Sequence, residues 1–153
     1  MKRKNTQISL HQQKCYWHQK LGGLLPALEV PADHPRANLI GQNIGLVKSS
    51  RKVTKEIVID NNLYKKLNEF CSCENVTLSV LLIATFKLFL LRYTQQEDII
   101  LSSLGVKQEK IFPLILRTNL NVNLSCQELL QSVAQTVSEA IENKDYPLNL
   151  DYS

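Results

Sequence analysis

Glycine is scarce in this chain, five residues in 153, and none of it forms a GxxxxGK[ST] or GxGxxG loop. Gly22-Gly23 leads into a proline-rich stretch instead of closing a strand-to-helix turn, so nucleotide binding has no support. Histidine is scarcer still: His11, His18 and His34 all fall in the first quarter, and no two are adjacent. None joins a serine or cysteine in a recognisable nucleophile motif, and His18, beside Trp17, reads as a surface residue of a first helix. Of the four cysteines, Cys71 and Cys73 have C-x-C spacing, while Cys15 and Cys126 provide no second pair to complete a zinc set. Free thiols are expected, with Cys71 and Cys73 as small apolar fillers at a helix end. The adjacent carboxylates Glu97 and Asp98 point to opposite sides of an extended segment and cannot easily share one substrate as an acid–base pair.

A long uncharged hydrophobic run is also missing. The most apolar region, Val76 to Leu91, is shorter than a membrane span, contains Lys87 and is followed by Arg92. The opening Lys2-Arg3-Lys4 gives way to Asn5, Thr6 and Gln7 without the apolar core of an export signal, so a soluble, cytoplasmic protein is expected. Eighteen basic against fourteen acidic residues give a net charge of +4. The bases are spread out. Although Arg51, Lys52 and Lys55 flank an expected strand, no basic stretch alternates with aromatics as in a single-strand nucleic-acid groove. Neither nucleic acid nor a membrane is an expected partner. With 44% hydrophobic and 21% charged residues the chain sits in the globular range, at a length that suits one domain.

The patterning sketches the elements. Leu10 to Leu21 suits a short helix burying Tyr16 and Trp17. An irregular stretch from Gly22 to Ser50 contains Pro26, Pro31 and Pro35. Lys52 to Asp60 reads as a strand on the β-branched Val53, Ile57, Val58 and Ile59. Asp60 or Asn61 then caps an amphipathic helix with Leu63, Leu67 and Phe70 on an inner face. Val76 to Leu91 has 12 apolar residues in 16, spread all round, with Thr77 as N-cap. It reads as a buried central helix, with Phe86 and Phe89 in the core. Asp98 to Leu104 and Leu114 to Leu120 read as strands joined by a short polar turn. Ser125 and Glu128 form a capping box for a last helix whose inner face is Leu129, Val133, Val137 and Ile141, ended by Asp145, Tyr146 and Pro147. The order predicts an α/β unit, with helices packed on a small mixed sheet of at least three strands.

Read in order, YWHQKLGG from Tyr16, LEVPADHPR from Leu28, ENVTLSVLLIATFKLFLLRYTQQEDII from Glu74, LRTNL from Leu116, then ELLQSV and KDYPL through Leu148, resemble consecutive blocks of the condensation domains of nonribosomal peptide synthetases. The resemblance spans almost the whole chain. It implies part of a chloramphenicol-acetyltransferase-like fold, in which two lobes form a tunnel. Substrates enter that tunnel on the phosphopantetheine arms of carrier proteins and are joined by an amide bond. The implied partners are aminoacyl or peptidyl carrier proteins and other synthetase domains, with no cofactor bound by the chain itself. On this reading 1–50 is the end of an N-terminal lobe with its crossover, and 51–153 is the start of a C-terminal lobe.

The family's chemistry centres on His-His-x-x-x-Asp-Gly, whose second histidine handles the acceptor amine as it attacks the donor thioester. No His-His pair occurs in this sequence. The motif lies upstream of the Tyr-Trp block in the family, so the chain is expected to begin after it and to end within the second lobe. No catalytic, cofactor-binding or metal-ligating residue is therefore assigned, and the chain alone is expected to be inactive. A non-catalytic module that pairs with a separate synthetase lobe or docks a carrier protein is the alternative. Between Leu101 and Leu116 the connection is shorter than the family's, with Ser102, Ser103 and Leu104 where a Gly-Ser-Pro turn is usual. The resemblance puts Ser103 on the tunnel wall, whereas its residue type favours an ordinary strand-end serine. Asp33, Pro35, Arg36, Arg92 and Asp98 also match, in architectural roles.

Overall fold

The computed structural model describes residues 8–31, 56–107 and 110–147. Helix α1, Leu10–Lys20, begins with a reciprocal cap: Ser9 Oγ accepts from Gln12 N at 3.3 Å, and Gln12 Oε1 accepts from Ser9 N at 3.0 Å. Helix α2, Asn61–Cys73, is capped by Asp60, whose carboxylate accepts from Leu63 N at 2.8 Å. Helix α3, Leu78–Thr94, is capped by the Thr77 hydroxyl on Val80 N. Asn75, in the link between these two helices, has a positive φ of 53°, and Gln95 ends α3 at φ 59°, a left-handed stop for both its helix and its hydrogen-bond ladder. The axes of α2 and α3 differ by 97°. Strands β1, Asp98–Lys107, and β2, Lys110–Asn119, form an antiparallel hairpin, and α4, Cys126–Glu142, starts from the Ser125–Glu128 capping box.

Helices α3 and α4 pack against each other on the hairpin. Their shared core gathers Val80, Ala84, Leu90 and Leu91 of α3, Ile99 of β1, Leu120, and Leu129, Leu130 and Val133 of α4. A second core joins Trp17 of α1 to Leu114, Ile115 and Leu116 of β2 and Ala140 of α4. Trp17 is buried, and its Nε1 donates to the Asn143 carbonyl at 2.8 Å, which ties α1 to the end of α4. Tyr16 meets it edge-on, with centroids 4.9 Å apart, and is half-buried.

Gly105 faces Phe112 across the hairpin, and a Cβ there would stand 2.5 Å from the phenyl ring. The ring lies over the glycine, covering backbone that no side chain shields. On the same ring sits Lys144 Nζ, 5.8 Å from its centroid.

The structure departs from several expectations. The strand expected at 52–60 is absent over 56–60, which has no regular structure, and 51–55 lie outside the described residues. β-Branched residues favour a strand only where a neighbour supplies hydrogen bonds and packing. Among the described residues the sheet therefore has two strands, antiparallel, instead of three or more in a mixed arrangement. Both strands are longer than expected, so Ser102, Ser103 and Leu104 lie within β1 and Ser103 does not end a strand. The inner face expected of α2 is mostly open: Cys71 is buried, while Leu63 and Phe70 are exposed. Phe86 and Phe89 are not in the core but half-exposed on α3, and Ile141 of α4 is exposed where Thr136 and Ala140 are buried. Cys73 is exposed, and all four thiols are free. Among the described residues no single helix is long and apolar enough to cross a membrane.

Candidate functional site

Strand alternation puts Asp98 of β1 on the same face of the hairpin as Arg117 of β2, diagonally across from it, because Asp98 pairs with Asn119 and Ile100 with Arg117. Arg117 uses its planar fork fully. Nε donates to both Asp98 oxygens at 3.1 Å, and Nη2 donates to Oδ2 at 2.7 Å. Nη1 reaches the Lys20 and Gly22 carbonyls at 3.0 and 3.3 Å, so the same guanidinium holds the end of α1. The hydrogen bonds to Asp98 raise the already high pKa of this group.

Glu139 arrives from α4. Its Oε2 accepts from Tyr16 OH at 3.3 Å and lies 3.5 Å from Lys20 Nζ, and Oε1 accepts from Gln135 Nε2 at 2.7 Å. Burial alone would raise this carboxyl, but the Gln135 hydrogen bond, the Lys20 charge and the Tyr16 hydrogen bond outweigh it and hold Glu139 below the ordinary range. Tyr16 moves the other way: burial, then the negative charge and hydrogen bond of Glu139, push its phenol well above the usual value. It stays a protonated donor.

Together these groups line an open cleft of about 630 Å³, with Gln19, Gly22 and Asn119 completing its rim. Beneath the hairpin lies Lys87. This side chain has no exposed surface, and its Nζ donates to the Ile99 carbonyl of β1 at 3.0 Å and the Leu116 carbonyl of β2 at 2.8 Å. The ammonium bonds to backbone oxygens, and among the described residues no carboxylate lies within salt-bridge distance of it. Desolvation lowers its pKa to about 8, against an upward pull from Asp98 and with a further downward push from Lys20.

Chemically, the cleft presents hydrogen-bonding groups whose charges are already matched, Asp98 with Arg117 and Glu139 with Lys20. Lys87 titrates nearer neutrality but is sealed from any ligand. Ser103 stands elsewhere, half-buried in β1 opposite Leu114. His11 and His18 are exposed on α1, while His34, Asp33, Pro35 and Arg36 lie outside the described residues. Arg92 is exposed near the end of α3, so the ion pair of Asp98 goes to Arg117 instead. Among the described residues no group of three or more His, Cys, Asp or Glu is placed to hold a metal ion.

Residues 2–150 match the sequence profile of the Condensation domain family. The chain belongs to that family. This condensation-domain chain is 34% identical over 148 residues to a linear gramicidin synthase of Brevibacillus parabrevis, covering 90% of the chain and 3% of the synthase. To chondramide synthase cmdD of Chondromyces crocatus it is 33% identical over 150 residues, covering 91% and 4% respectively. The condensation-domain fold is also that of the X-domain from teicoplanin biosynthesis, which superposes with a TM-score of 0.76 at 19% identity over 94% of this chain and 32% of that one. SgcC5 protein from Streptomyces globisporus gives 0.66 at 21% identity, over 88% and 31%. The chain thus spans about a third of these solved structures and a few per cent of the synthases.

Proposed function

We propose that the chain is a structural portion of the amide-bond-forming condensation domain of a nonribosomal peptide synthetase and does not form the bond by itself. The observation that carries this reading is the cleft, in which acidic and basic side chains neutralise one another, leaving no accessible base poised near neutrality among the described residues. The sequence has no His-His pair to supply one. In this reading 1–50 is the end of the N-terminal lobe and its crossover, 51–153 begins the C-terminal lobe, and Ser103 lies along the tunnel. The partners are carrier proteins that present thioesters on phosphopantetheine, together with neighbouring synthetase domains. The chain binds no cofactor itself, engages neither nucleic acid nor membrane, and works in the cytoplasm.

The test uses the purified full chain with an acyl-loaded donor carrier and an aminoacyl-loaded acceptor carrier. Intact-mass analysis is expected to show no condensed product above a no-protein control. Product above that control would overturn the reading. A second reading, a non-catalytic module that pairs with a separate synthetase lobe or docks a carrier protein, is favoured by the open apolar face of α3.

A further inference from the structure

Helix α3 carries two stripes with the same i, i+4, i+7, i+11 spacing. The inner one, Val80, Ala84, Lys87 and Leu91, is buried. The outer one, Leu82, Phe86, Phe89 and Tyr93, is offset by two residues, about 200° round the helix, and its members are 50, 51, 56 and 51% exposed. The outer rings are organised. Phe86 and Phe89 stack at 6.4 Å with planes 15° apart, and Phe89 and Tyr93 stack at 5.6 Å with planes 12° apart. One exposed apolar residue on a soluble surface is ordinary, but three stacked rings extended by a leucine form a contiguous apolar ridge that implies an occupant.

Chain length indicates which occupant. This chain superposes almost entirely on two larger structures while filling only 32% and 31% of them, so its elements hold positions belonging to a fold about three times as long. The ridge residues are uncharged, which favours an apolar partner face over an acidic carrier surface or a phosphate-bearing arm. A ridge of this spacing fits the groove of a second helix.

We propose that the Leu82–Phe86–Phe89–Tyr93 ridge is a seam that receives an apolar helical face from the remaining two-thirds of a condensation domain. The proposal rests on the reading of this chain as a portion of such a domain, and it names the partner and the contact.

The experiment co-expresses the full chain with the rest of the matching condensation domain of the Brevibacillus parabrevis linear gramicidin synthase, from which the portion equivalent to this chain is deleted. Complex formation is read by co-purification and titration, with hydrogen exchange along α3. The wild-type chain is expected to form a complex that slows exchange in α3. The double substitution F86S/F89S weakens it by about 100-fold or more, and Phe89→Gln alone by about tenfold. Ile111→Ser, on the exposed β2 near the hairpin tip, leaves affinity unchanged. Far-UV circular dichroism checks that each variant keeps its helices; Phe89→Gln is the milder probe should the double variant lose them. A complex indifferent to the ridge substitutions, with I111S as tight as wild type, overturns the seam and leaves the condensation-domain reading standing. Absence of any complex overturns both. A homodimer of the chain alone, broken by F86S/F89S, overturns the stated occupant.

Discussion

Lys87 makes a sharp prediction about pH. Its folded-state pKa is about 8 against 10.5 for the ordinary side chain. That difference corresponds to about 3 kcal/mol of disfavour for the buried ammonium. Below pH 8 both folded and unfolded chains hold the proton, so the penalty is fully present. Between 8 and 10.5 the unfolded chain holds the proton more often than the folded one, and stability rises with pH. Asp98 and Lys20 are the charged groups that modulate this shift, one pulling it up and the other down. Urea unfolding followed by circular dichroism at pH 7, 8, 9 and 10 is expected to show the wild type gaining about 2 kcal/mol across the series. Lys87→Met removes the titrating group, keeps much of the stem's volume and leaves two carbonyls without their cation. It is expected to match or exceed wild-type stability at pH 7, because replacing a poorly compensated buried charge with an apolar side chain is often neutral or stabilising. Its pH dependence over the same interval should lack the Lys87 rise. A wild-type curve as flat as that of the variant, or a variant that loses about 3 kcal/mol at pH 7, would refute the reasoning. The series stops at pH 10 because Tyr16, whose folded pKa is raised, contributes stability that declines once the unfolded phenol ionises above that point.

Arg117→Ala should cost about 2–3 kcal/mol by leaving Asp98 unpaired and releasing the Lys20 and Gly22 carbonyls; hydrogen exchange in α1 should accelerate, and Arg117→Lys should recover only part of the loss. Gly105→Ala forces a Cβ to within 2.5 Å of the Phe112 ring. A loss of about 1–3 kcal/mol is expected in thermal melts, with less than additive loss in combination with Phe112→Ala. Ser125→Ala removes the α4 cap and should cost about 1 kcal/mol. Because the Ser125 hydrogen bonds hold Glu128 below its ordinary range, the wild-type contribution of that carboxylate is present above the usual glutamate pKa and fades as acid protonates it. The alanine variant should show a shallower acid dependence.

Local signals are readable in the sequence where local chemistry decides. Ser125 with Glu128, Thr77 and Asp60 mark the helix starts because an N-cap depends on a few adjacent residues. The family is legible for the opposite reason, in blocks spread through the chain that no single motif could replace. Lys87 is not legible as a buried group. Inside an apolar segment it reads as a charge that interrupts a hydrophobic run, yet its spacing from Val80 and Ala84 puts it on the inner stripe, where two strand carbonyls receive it. Phe86 and Phe89 mislead for a related reason: a helix apolar all round indicates burial on every side, and the described residues cover only one. The Asp98–Arg117 pair needs the hairpin register, which is hidden because the strands run beyond their apolar stretches towards the lysines at 107 and 110. Diagonal partners cannot be named until the turn is fixed.

The hydrogen bond from Trp17 to Asn143 spans 126 residues of sequence. During synthesis, the indole of α1 has no acceptor until α4 has left the ribosome, so the first helix made is among the last to find its place. Closure of this ring of chain should therefore come late in folding, and nascent chains stopped before Asn143 should leave α1 open to protease.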